Sequence, residues 1–154
     1  MKNKSKSAFA PITVAVAIVL SALIFTACTD PTDIYDDDDK IINSSVITKV
    51  MYSDTRTSSS IKISAKSVTG VDTLFTVKVN NGITVSYDAE LSSGRLKIVL
   101  CDSENIITLF ECTEDSNTAS ATDEQIDLDA GTYRIRLVGD SANFKINSFS
   151  FDCY

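Results

Sequence analysis

The residues able to do chemistry fall into three groups. Cysteines stand at positions 28, 101, 112 and 153 and could carry a covalent group, a disulfide or a metal. Acidic side chains collect in the run Asp36–Asp39 and again over Glu111, Glu114, Asp115, Asp123, Glu124, Asp127 and Asp129. Arg134 and Arg136 share one side of an alternating apolar run. Histidine is absent, which removes Ser-His-Asp and Cys-His catalysis, His-rich zinc sites and imidazole pH switches. No phosphate-cradling loop or nucleophile elbow is present, and the glycines are scattered over turns. Asp127 and Asp129 with loop carbonyls are the best place for Ca²⁺, which needs several oxygens converging at about 2.3–2.6 Å. The plainer expectation for these acids is a solvated loop, with no cofactor. Arg134 and Arg136 could take an anion. The simpler expectation is pairing with nearby carboxylates, worth about 0–1 kcal/mol per surface pair.

The strongest chemical signal is Cys28. Lys2, Lys4 and Lys6 precede an apolar segment from Ala8 to Ala27, with no acid before Asp30. A basic start, an apolar middle and small residues at the end make a secretory signal. Its last residues, Phe25-Thr26-Ala27-Cys28, resemble the lipobox of bacterial lipoproteins, with Phe25 standing where leucine is usual. The resemblance implies cleavage between Ala27 and Cys28 and a diacylglycerol on the Cys28 sulfur. It implies attachment to a membrane, with the rest of the chain outside the cytoplasm. Each buried CH₂ of such a lipid contributes about 0.8 kcal/mol. The alternatives are an ordinary cleaved signal and an uncut anchor, since about 20 apolar residues are long enough to span a bilayer.

Removing Lys2, Lys4 and Lys6 with the signal takes the formal charge from −7 to about −10, so the mature chain should repel nucleic acid. Residues 28–45 read as a flexible acidic tether: Pro31, the aspartates and the polar residues bury nothing, and like charges extend the segment. Asp36-Asp37-Asp38-Asp39-Lys40 also matches the enteropeptidase recognition sequence.

From residue 46 to 154 the apolar pattern has period two, with Thr, Val, Ile and aromatic enrichment and no convincing amphipathic helix. Val46–Tyr52 is a first strand, Asp54–Ser60 a loop, and Ile61, Ile63 and Ala65 face a core. Asn80-Asn81-Gly82 predicts a hairpin opposing Val79 to Ile83, Val77 to Val85 and Phe75 to Tyr87. Asp102–Asn105 predicts another, with Leu96, Ile98, Leu100, Ile107 and Leu109 on one face and Val99, Cys101, Phe110 and Cys112 on the other. Cys101 and Cys112 then sit too far apart to bond, and Cys112 with Cys153 stays open. Thr113–Thr122 reads as loop and Gln125–Leu128 as a short strand. Tyr133, Ile135 and Leu137 point inward, and a bulge is expected near Asn147-Ser148.

About nine short strands with hairpin turns predict an antiparallel β-sandwich, with a barrel as runner-up. The run Asp129–Leu137 resembles the "Gly-x-Tyr-x-Ile/Val" strand of jelly-roll-type bacterial β-domains, in some of which the Tyr is a sugar platform; here core filling is the simpler role for Tyr133. The resulting expectation is a non-enzymatic envelope lipoprotein displaying a jelly-roll-like domain to an unknown protein or glycan. The alternative is a carbohydrate-binding module-like domain, with or without Ca²⁺. Replacing Cys28 with Ala should move the chain from the detergent phase to the aqueous phase in a phase-separation assay; unchanged detergent partitioning at mature size would contradict the lipid reading.

Overall fold

The computed structural model describes residues 34–154. Ala27 and Cys28, and the whole segment read as a signal, lie outside the described residues. A short helix, α1 (Asp38–Asn43), precedes six strands: β1 (Ile47–Arg56), β2 (Ser60–Val79), β3 (Gly82–Cys101), β4 (Ile106–Cys112), β5 (Thr118–Asp127) and β6 (Gly131–Cys153). All pairings are antiparallel.

Three of these strands, of 20, 20 and 23 residues, are three to four times the ordinary length of about 5–6, because each runs through both layers of a sandwich. In the first layer Gly70–Val79 of β2 pairs with the start of β6, which pairs with Arg95–Cys101 of β3, which pairs with β4. In the second layer β1 pairs with Ser60–Lys66 of β2, followed by the end of β6, Ile83–Leu91 of β3, and β5. The three long strands turn from one layer to the other side by side. Their registers shift at this corner, between Ala65 and Gly70 in β2 and between Leu91 and Arg95 in β3. Ser67, Gly70, Gly94 and Ser141 all take positive φ there. At Gly94, with φ of +81°, a Cβ would lie 2.5 Å from the Asp140 carbonyl oxygen, so only glycine fits. Thr69-Gly70, Ser92–Gly94 and Gly139-Asp140, which read from sequence as turns ending strands, are therefore bends within continuous strands. That is why the sequence suggests about nine short strands where the described residues form six, three of them long.

The predicted Asn80–Gly82 hairpin is an arch. Val79 pairs with Gly131, and Ile83 pairs with Ile126 and Cys153, so β2 and β3 do not pair across this turn. The amide N–H groups of Asn80, Asn81 and Gly82 all donate to the Tyr154 carbonyl oxygen, at 3.2, 2.7 and 3.1 Å. Val77, Val79, Ile83 and Val85 are buried together as expected, but they meet from opposite layers. In the β3–β4 hairpin a shift between Ile98 and Val99 returns Phe110 and Cys112 to the inner face, correcting their predicted outward position. The chain read as loop over Thr113–Thr122 becomes strand at Thr118, and β1 continues through Asp54 to Arg56. The bulge near Asn147-Ser148 is present, where Asp88 and Ala89 pair with Ser148 and Ile146.

The largest departure is the tether. Residues 34–45 are folded onto the outer face of the first layer. Ile34, Tyr35 and Ile41 form a second apolar cluster with Val71, Val99 and Val138. Asp37 caps α1 by accepting from the Lys40 amide at 3.0 Å, a favoured N-cap role. Tyr35 donates to Glu111 at 2.9 Å, and Arg95 bridges Asp36 and Asp140 at 2.9 Å each. The body of the molecule thus begins at or before residue 34, not at 46. The strand pattern hid this because the four apolar residues Ile34, Tyr35, Ile41 and Ile42 are diluted by aspartates.

Arg136 holds the strap in place. It is fully buried and donates to the carbonyl oxygens of Ile41 and Ile42, the second at 2.8 Å, and to that of Ser44. These are the unpaired carbonyls at the end of a helix, where a cation is favoured. Burial, with Arg134 nearby, draws its pKa below the usual guanidinium value. The expected pairing with carboxylates does not occur: Arg136 takes helix carbonyls, and Arg134 donates to the Asp102 carbonyl oxygen at 3.1 Å. Replacing Arg136 with Met strands those buried carbonyls and should cost about 2–4 kcal/mol in urea-induced unfolding; a loss under about 0.5 kcal/mol would show that the strap is held by its apolar contacts alone.

Candidate functional site

The acidic residues singled out from sequence are dispersed by the fold. Glu111 is engaged by Tyr35, Glu124 accepts from Tyr87 at 3.3 Å, and Asp123 exchanges hydrogen bonds with Ser86. Asp127 and Asp129 stay together, at the end of β5 and in the β5–β6 connection. They face the β3–β4 turn across a cleft of about 520 Å³ at one end of the sandwich.

Each wall of this cleft follows from local chemistry. On one side the Asp102 carboxylate accepts from the amides of Glu104 and Asn105, both at 2.7 Å, closing an Asx-type turn. These donors hold its carboxyl below the usual carboxylate range. The Asn105 side-chain amide also donates to it at 3.2 Å. On the other side Tyr133, nearly buried as the predicted core residue, donates its hydroxyl to the Asp129 carbonyl oxygen at 3.0 Å. The Leu128 amide is fixed to the Asn81 carbonyl at 3.0 Å. Ile106, Ile107 and Leu128 supply apolar lining, while Asp127, Asp129, Asn105 and Thr132 supply polar groups. Such a mixture suits a ligand with hydroxyls on an apolar frame.

Among the described residues no group of three or more carboxylates or cysteines is placed to hold a metal ion. Asp102 spends its oxygens on its own turn, leaving Asp127 and Asp129 as the other carboxylates that line the cleft. Cys101, Cys112 and Cys153 are all free thiols. Burial raises the pKa of each thiol, which opposes nucleophilic reactivity. Cys101 pairs with Ile106 at one end of the β3–β4 hairpin and Cys112 with Leu96 at the other, as expected.

Aromatic side chains serve the core and its rim. Tyr87 stacks on Phe110 at 4.7 Å between ring centres, and Phe75 meets Phe151 edge-on at 5.0 Å. Arg56 lies over Phe75, and Lys49 over Tyr52. Tyr154, in contrast, is exposed.

No family model and no curated protein matches the chain. Three similar solved structures are all carbohydrate-binding modules. The C-terminal family 6 module of LamC, a marine laminarinase from Zobellia galactanivorans, is 13% identical, with 73% of this chain and 94% of that one covered at a TM-score of 0.40. A family 6 module of Cellvibrio mixtus lichenase 5A, solved with cellotriose, is 9% identical over 75% and 95% of the two chains at 0.39. A mutant of a family 29 module is 14% identical over 72% and 83% at 0.37. Likenesses this slight assign neither family nor ligand, and the β-sandwich stands on the strand order and registers of the chain itself.

Proposed function

We propose that this chain displays a non-catalytic β-sandwich at the outer side of a bacterial membrane, anchored by lipid on Cys28, and that the end cleft binds a glycan. The cleft carries the reading. Its two walls are built by an Asx-type turn and a tyrosine-pinned connection, so its polar groups are held on rigid supports. Apolar lining beneath hydroxyl-seeking groups fits a sugar ring better than a phosphate or a metal ion. The absence of histidine from the sequence and the inert thiols favour binding over turnover.

The anchor part rests on the lipobox resemblance. The folded strap changes its mechanical meaning. Residues 29–33 alone separate Cys28 from Ile34, a reach of no more than about 20 Å even if extended. The domain therefore rides close to the bilayer instead of trailing on a long leash.

A glycan array probed with the full chain, with and without Ca²⁺, tests the cleft. Binding to neutral oligosaccharides is expected, with about tenfold loss in an Asn105→Ala, Asp127→Ala double variant. An array with no bound neutral glycan, or binding unchanged by the double variant, would contradict the cleft as a sugar site.

A further inference from the structure

A second polar surface lies on the outer face of the other layer, away from the strap and formed by different residues from the end cleft. Paired residues of antiparallel neighbours point to the same side. One row across this face therefore reads Ser53, Ser64, Lys145, Glu90 and Thr118. Lys62 and Lys66 flank Ser64 two residues away on the same strand, also exposed. Diagonal neighbours in such a ladder are about 7–8 Å apart, so Lys62, Lys66 and Lys145 form a triangle around Ser64.

Two shallow grooves, of about 310 and 540 Å³, meet on this triangle and share Ser64 and Lys145. Hydroxyls and amides line them: Ser53, Thr55 and Asn147 in one, Ser92 and Asn143 in the other. Two carboxylates lie in the grooves as well. Asp54 is paired with Arg56 at 3.1 Å, and Glu90 accepts from Asn147 at 3.0 Å with Lys145 at 3.9 Å. Among the described residues, no carboxylate lies within ion-pair distance of Lys62 or Lys66. In a chain of net charge −7, three lysines against the two carboxylates lining these grooves make a local excess of positive charge, bounded by Asp88 on the same face beyond Glu90.

We propose that this face binds an acidic polysaccharide, its carboxylates or sulfates meeting the lysine triangle and its hydroxyls meeting the serine, threonine and asparagine side chains. Among the described residues these grooves are lined mainly by polar side chains, which suits a sugar better than the apolar anchor of a peptide. Through their shared residues the two grooves run across β1, β2, β6 and β3, a path that fits a polymer strand passing across the sheet. The lysines draw the polyanion in, and the neutral hydrogen-bonding groups select sugar over other polyanions. This site stands independently of the end cleft, whose residues it does not share.

The test is affinity electrophoresis of the full chain in neutral detergent, through gels holding polygalacturonate, neutral dextran or polyglutamate. Polygalacturonate should retard the chain most. A Lys62→Gln, Lys66→Gln, Lys145→Gln variant should lose that retardation by about tenfold or more, while a triple Lys→Arg variant keeps most of it. All three side chains are exposed, so the thermal unfolding midpoint should change little and a folding failure would be visible separately. Equal retardation of the Gln variant, retardation by dextran as strong as by polygalacturonate, or preference for polyglutamate would each overturn the proposal. Loss of neutral-glycan binding through the end cleft would leave this result untouched.

Discussion

The arrangement of the molecule depends on a buried cation without a carboxylate. Arg136 stands on β6 between Ile135 and Leu137, pointing out of the first layer, with Val138 beside it. A guanidinium there would be costly in an apolar environment. The end of α1 meets that cost with several carbonyl oxygens at once, and Arg136 in turn meets the helix's unpaired acceptors. Neither partner is satisfied without the other. Among the described residues the Nε of Arg136 has no hydrogen-bond partner, so the match is good but incomplete. This exchange decides that the acidic N-terminal segment is part of the fold and that the first layer is covered.

The second constraint is the shared corner. Because β2, β3 and β6 all bend at the same level, the two layers are covalently and hydrogen-bond continuous on one side. One apolar cluster then draws from Ile61, Ile63 and Ala65 of one layer and Leu96, Ile98 and Leu100 of the other. The consequence for function is a division of surfaces. The strap covers one outer face, the lysine-bearing face is left open on the opposite layer, and the arches and hairpins at the end of the sandwich build the cleft.

The period-two pattern made the sandwich legible and placed Tyr133, Ile135 and Leu137 in the core, while Arg136, on the opposite parity, is buried beneath the strap and not on the surface as read. What alternation does not encode is the partner. Val77, Val79, Ile83 and Val85 on one side are equally compatible with a hairpin and with an arch whose strands face each other, and the chain chooses the arch. Gly94 and Gly139 announced a change of direction, but a bend with the ladder intact and a true turn leave the same trace in sequence. The strap was missed because composition outweighed spacing: Ile34 and Tyr35 recur as Ile41 and Ile42 one heptad later, and Asp37 sits at a capping distance from Lys40. Of the candidate site, Asp127 and Asp129 were found as acids near a turn. Asn105 and Asp102 were not, since only folding brings the two loops together. The lysine triangle likewise needed the β2–β6 register, which places Lys145 against Ser64.

The claim that the acidic segment is folded onto the sandwich is open to direct test by its own sequence. Asp36–Lys40 matches an enteropeptidase site, but here Asp37 caps α1, Asp38–Lys40 are helical, and Ile41 is buried. A protease needs such a segment extended. Incubated with enteropeptidase, the native full chain should resist cleavage after Lys40, and the urea-unfolded chain, diluted into protease, should be cut there before it refolds. Cleavage of the native chain at the rate seen for the unfolded one would mean that the segment is a free tether, and the covered layer and the short anchor would fall with it.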